Sequence, residues 1–136
     1  MHEVSVNLWA VLAAGIVNMI VGAIWYMPSV FGTMWMKELG MKKDDAMAAN
    51  MGQAYGITFV GALVMSYVLA MVIGFSGANL VMDGVIVALW LWLGFAVVLP
   101  LNDVVFGKKS WTLYFINVAY YAVVMVINGA IFAVYR

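Results

Sequence analysis

Four stretches of this chain contain no Asp, Glu, Lys or Arg: Val4 to Met27, Tyr55 to Phe75, Gly84 to Leu101 and Trp111 to Tyr135. A helix needs roughly 20 apolar residues to cross the hydrocarbon of a bilayer, and each stretch is close to that length or above it. Backbone in hydrocarbon must bond to itself, so the spans are expected to be helical. The reading is an all-α polytopic membrane protein. It consists of one domain over residues 1–136, with transmembrane helices at about 5–27, 45–75, 80–101 and 111–135.

Composition closes the soluble alternative. Hydrophobic residues make up 68% of the chain and charged residues 9%, against roughly 25% charged in soluble domains. A net charge of zero gives no electrostatic case for nucleic acid. With no cysteine, disulfide and thiol chemistry are absent. The start, Met1-His2-Glu3, lacks the basic leader of a signal peptide, so the first apolar run is expected to be retained as the insertion signal.

Between the first two runs lies a polar connection with its own pattern. Trp25 and Tyr26 stand at headgroup depth, Pro28 stops the helix, and Phe31, Met34, Trp35 and Leu39 follow at helical spacing. This predicts an amphipathic segment on the membrane surface, anchored by Trp25, Tyr26, Pro28, Phe31 and Trp35 and ended by Gly40. Asp44 or Asp45 is then the expected N-cap of the second helix. The triplet Val30-Phe31-Gly32 after Pro28 is echoed by Val105-Phe106-Gly107 after Pro100. The connections on this side carry Lys37, Lys42, Lys43, Lys108 and Lys109, whereas the other side carries only Arg136 and the amino terminus. The bias predicts a multi-pass protein of the cytoplasmic membrane, with the Lys-bearing loops cytoplasmic and both termini extracytoplasmic.

Within the spans the informative side chains are amides, phenols and small residues. Asn7 and Asn18 in the first run, and Asn117 and Asn128 in the last, are eleven residues apart, about three turns, so each pair shares a face. Tyr121 lies on the stripe of the second pair. An amide in hydrocarbon is costly unless bonded, so these faces should turn toward other helices. They either line a neutral polar path through Asn18, Asn117, Tyr121 and Asn128, or hold helices together. The stripe Ala62, Ser66, Ala70 and Gly74, with Gly52 and Gly56 as a GxxxG, allows close helix packing within the bundle or between subunits. Trp90 and Trp92 sit in mid-span, and their indole donors call for carbonyl or amide acceptors.

Chemistry is sparse. One histidine and no cysteine exclude the usual zinc sets, and no cofactor or metal is expected. The carboxylates nearest lipid lie at helix ends. Asp103 is the candidate functional one, because a break at Pro100 would turn Asn102 and Asp103 toward the bundle. Proton-coupled transport generally needs a titratable group in the pathway. Where small four-helix multidrug exporters carry a glutamate in the first helix, this chain has Ala14, Gly15 and Ile16.

The run Trp25-Tyr26-Met27-Pro28-Ser29-Val30-Phe31-Gly32-Thr33-Met34-Trp35-Met36, followed by Leu39-Gly40, resembles the family catalogued as domain of unknown function 1761. Asn7-Leu8-Trp9-Ala10-Val11 and the four-helix length fit it as well. The resemblance implies a small multi-helix membrane protein and carries over no activity and no catalytic residues. Two expectations follow. One is a transport- or channel-like homo-oligomer for a small solute. The other is a non-catalytic membrane module that binds lipid or a partner membrane protein. No enzymatic role is expected.

Overall fold

The computed structural model describes residues 5–39, 51–107 and 110–135. The expected helix end at Gly40, the cap at Asp44 or Asp45, and Lys42, Lys43, Lys108, Lys109 and Arg136 lie outside the described residues. Helix α1 is Leu8–Trp25, α2 is Thr33–Leu39, α3 is Met51–Ser76, α4 is Val81–Leu91, α5 is Leu101–Val105 and α6 is Trp111–Val134. Two π-helical stretches interrupt the order, Pro28–Gly32 before α2 and Trp92–Val97 continuing α4. Four segments are long and apolar enough to span a bilayer: Leu8–Trp25, Tyr55–Ser76, Val81–Val105 and Trp111–Val134. No strand occurs among the described residues. The chain is an all-α membrane protein.

The helix ends follow from side-chain chemistry. α1 begins at Leu8 rather than Ser5, because the Asn7 Oδ1 accepts from the amides of Trp9 (3.0 Å) and Ala10 (3.2 Å). Asn7 therefore caps the helix in an extended conformation and is not part of an intrahelical stripe with Asn18, a correction to the pairing read from the eleven-residue spacing. Ser110 caps α6 in the same way, accepting from Thr112 and Leu113. After α1, the amide of Gly32 reaches back five residues to the Met27 carbonyl at 2.9 Å, and this wide turn swings α2 back toward the bundle.

The third span departs from the single helix read over 80–101. α4 loosens at Trp92 into the π-helical stretch, passes through a turn, and resumes as α5 after Pro100. Proline has no amide to give and its ring crowds the preceding turn, so a regular ladder cannot run through it.

α6 is the central element. It packs against α1, α3 and α4, and also touches α2 and α5, whereas α1 and α4 hardly meet. α1 lies mainly on α3, and α4 mainly on α6. The packing is uneven along the bundle. At one end a purely apolar core gathers Ala10, Ala14, Leu69, Ile73, Ala88 and Phe132. Toward the other end the smaller core of Val104, Tyr114 and Val118 is joined by Trp92. Outward-facing positions are apolar too: Trp90 is 70% exposed and Ile57 66%, as expected where the surrounding solvent is lipid.

The tightest approach is between α4 and α6. Gly84 and Gly129 face each other so closely that a Cβ on Gly84 would collide with the Gly129 carbonyl, and one on Gly129 would stand 2.6 Å from the Gly84 oxygen and 2.8 Å from the Ala88 Cβ. Gly84 with Ala88, and Gly129 with Ala133, are two small-residue pairs spaced by four, meeting antiparallel. The stripe named from sequence, Ala62, Ser66, Ala70 and Gly74, lies on α3; Ala62, Ser66 and Ala70 are buried within the bundle. Gly56 faces open space, so it is not used the way Gly84 and Gly129 are.

Gly129→Val should therefore destabilise the fold by about 1–3 kcal/mol, the usual range for overpacking. Gly61→Ala, at a position open on all sides, should be neutral or slightly stabilising. Thermal melting in mild detergent separates the two. Equal melting of both variants would show that the α4–α6 contact is looser than described.

Candidate functional site

Polar side chains in the interior converge on α6, one side chain after another. Near its C-terminal end the Asn128 Nδ2 donates to the Asn18 Oδ1 of α1 at 2.8 Å, with both residues buried. Two turns earlier the Tyr120 hydroxyl donates to the Asn18 backbone carbonyl at 2.9 Å. Asn18 is thus held through side chain and main chain by two residues of the same helix. Gly22, one turn along α1, leaves the space that the Tyr120 ring occupies, since a Cβ there would lie 3.2 Å from the phenol oxygen.

The end of α1 repeats the arrangement. The Trp25 indole donates to the Ile116 carbonyl at 3.0 Å, and the Tyr26 hydroxyl donates to the Asn117 Oδ1 at 2.5 Å. Burial, and then the neighbouring phenols Tyr121 and Tyr120, push the Tyr26 phenol well above its usual range, so it stays a neutral donor. From the other side Trp92 donates to the Val118 carbonyl at 2.9 Å. Ile116 and Val118 are two residues apart, about 200° around the helix, so the two indoles reach α6 from opposite flanks. The Tyr114 hydroxyl in turn donates to the Val97 carbonyl at 2.6 Å, taking up an oxygen where the π-helical stretch of the third span ends.

These six interhelical bonds place the residues singled out from sequence. Asn18, Asn117 and Asn128 all belong to the seam. Among the described residues Tyr121 makes no bond across it: it is 38% exposed and packs on Tyr120 at 5.2 Å between ring centroids. Tyr120 takes its place, a residue the amide spacing did not single out because it sits about 60° from the Asn117–Asn128 line. The corner residues come together as well. Phe31 packs on Trp25 at 4.8 Å, and Trp35 meets Tyr26 edge-on at 5.3 Å. Pro28 opens the turn that brings them there. Among the described residues, the buried acceptors Ser66 Oγ and Asn128 Oδ1 stay without partners.

At the Trp25 end the seam opens into a pocket of about 90 Å³. Pro100 and Leu113 form apolar walls, and Asp103, Ser110, Tyr114 and Asn117 supply polar atoms. Asp103 sits on α5, exposed, with no partner for its carboxylate among the described residues. The break around Pro100 thus turns Asp103 to the same opening as Asn117. The chemistry on offer is one carboxylate, one carboxamide and two hydroxyls in a space large enough for a few waters or a small polar group.

The chain belongs to the family described as protein of unknown function (DUF1761), whose match covers residues 9–133. Neither the curated proteins nor the solved structures yield a match. It is an integral membrane protein of a family without assigned activity.

The amide pair makes a measurable claim. Hydrogen bonds between membrane helices are worth about 0.6 kcal/mol on average and up to about 1.7. A double-mutant cycle of Asn18→Leu and Asn128→Leu, read by unfolding in mixed detergent, should show positive coupling in that range. Additive losses would mean that the two amides are not bonded to each other.

Proposed function

We propose that this protein is a non-catalytic membrane module that binds a membrane ligand at the Asp103–Asn117 pocket. The observation that carries the reading is how the polar groups are used. Asn18, Asn128, Tyr120, Trp25 and Trp92 are committed to bonds between helices, while the pocket at the start of α6 holds a carboxylate with no partner among the described residues. A bundle stitched along its central helix suits a rigid platform for a site at its end better than it suits a conduit. By the lysine distribution the pocket lies on the cytoplasmic side and both termini lie outside.

A transport- or channel-like homo-oligomer is the second reading. Ser66 Oγ and Asn128 Oδ1, buried acceptors without partners, speak for it, because such groups ordinarily bond to water or to a ligand.

Two measurements decide. Proteoliposomes of the purified chain should pass ions and small neutral solutes no faster than empty vesicles. A saturable flux that Asn128→Leu abolishes while the protein stays folded and assembled at the assay temperature would replace the module reading with the transport one. Because the chain has no cysteine, Ser5→Cys and Ser29→Cys make clean single reporters. An impermeant maleimide added to intact cells should label Ser5→Cys and spare Ser29→Cys, and the reverse pattern would invert the orientation.

A further inference from the structure

We infer that the pocket between α5 and the start of α6 is a headgroup site for an aminophospholipid, with the primary ammonium on the Asp103 carboxylate and the phosphate on the donors of Ser110 and Asn117. The inference rests on the module reading and names its ligand.

The donor and acceptor inventory leads to this class. The Asn117 Oδ1 is taken by the Tyr26 hydroxyl, which leaves its Nδ2, with two N–H groups, as the part of the amide free to serve a ligand. The Ser110 Oγ already accepts from the amides of Thr112 at 3.1 Å and Leu113 at 3.4 Å, so what it retains is its proton. The Tyr114 proton is committed to the Val97 carbonyl. The pocket therefore presents one anionic acceptor, Asp103, beside two neutral donors, Ser110 and Asn117. That is the complement of a small zwitterion with a cationic hydrogen-bond donor at one end and an anionic acceptor at the other. A primary ammonium bound to phosphate through a two-carbon link has this form. A trimethylammonium carries the charge without the N–H donors that a charge-assisted bond to a carboxylate needs.

Depth and surroundings favour lipid as the source. The third span ends at Val105 and the fourth begins at Trp111, so the pocket lies at headgroup level. The spanning surface beside it is apolar and exposed: Leu99, Phe106, Trp111 and Phe115 are each more than half accessible, and Trp111 and Phe115 stack at 6.1 Å. A headgroup seated on Asp103 leaves its acyl chains on that surface. Ser110 also caps a helix of 24 residues, whose N-terminal partial charge favours the phosphate end.

The test is native mass spectrometry of the full chain, released from detergent containing equal amounts of phosphatidylethanolamine and phosphatidylcholine with matched acyl chains. The wild type should retain the ethanolamine lipid over the choline lipid by about tenfold, the scale of one charge-assisted bond. Asp103→Asn, a swap of equal size at an exposed position, should bring the ratio close to one without lowering the melting temperature. Asp83→Asn, which removes a carboxylate far from the pocket, should leave the preference intact. Equal retention of the two lipids by the wild type overturns the assignment without recourse to any variant. So does an undiminished preference in a folded Asp103→Asn protein. Soluble phosphoethanolamine should not displace the lipid at micromolar concentration; displacement there would reassign the site to a free small molecule and overturn the lipid reading. A failed lipid preference leaves the module reading standing, whereas solute flux would remove the module reading whatever lipid is bound.

Discussion

In hydrocarbon a buried amide or indole N–H has no water to turn to, so its partner must come from another helix. The bond between Asn18 and Asn128 meets that requirement at a site that is closed to the surroundings. It fixes α1 against α6 in one register, and the contacts of Tyr120, Tyr26 and Trp25 then fall at successive points along the same pair. Hydrophobic attraction cannot set such a register, because lipid tails are as apolar as the side chains they would replace. Close packing sets the other flank. There the backbones of α4 and α6 meet across Gly84 and Gly129, at a distance that no residue with a Cβ would allow. The α1 side of α6 is thus positioned by polar bonds alone, and the third-span side by contact of small residues together with the bonds of Trp92 and Tyr114.

This division accounts for the corner at Trp25 to Trp35. As a sequence it reads as an interfacial anchor, with aromatic rings at headgroup depth and a proline to turn the chain. In the structure the rings also act across the bundle: Trp25 and Tyr26 bond to consecutive residues of α6, and Phe31 and Trp35 pack over them. A segment that ends the first helix therefore also orients the Asn117 amide, which lines the pocket at the far side of the same helix. The resemblance to a membrane family carried by this run and the geometry of the candidate site are two aspects of the same residues.

The class of fold was legible from the four uncharged runs, because the bilayer leaves so few choices for uncharged backbone of that length. The involvement of Asn18, Asn117 and Asn128 was legible too, since an amide in lipid has to face protein. What escaped was partner choice. Tyr120 and Tyr121 are adjacent and chemically identical, and which of them turns inward depends on the rotation of α6, set by contacts far along the chain. Asn7 has the spacing of a stripe residue, yet capping is a local reaction that wins wherever the helix begins. The Gly84–Ala88 and Gly129–Ala133 pairs are spaced small residues, but the second run carries a similar pattern in Ala62, Ser66, Ala70 and Gly74. Nothing in a single chain's pattern says which of several small-residue stripes finds a partner. The pocket was legible only as the expectation that Pro100 would redirect Asp103; that Ser110 and Asn117 stand opposite is a property of the assembled bundle.

The π-helical stretch Trp92–Val97 has a consequence for the phase of the third span. Such a bulge behaves as one residue inserted into a regular helix, and an insertion of one turns everything beyond it by about 100°. Ala88 and Asp103 lie on either side of that change of phase, so the span presents one azimuth to α6 before the bulge and another after it. A descendant that deleted a single residue here would keep its length and hydropathy nearly unaltered, yet would rotate the carboxylate away from the amide it now accompanies.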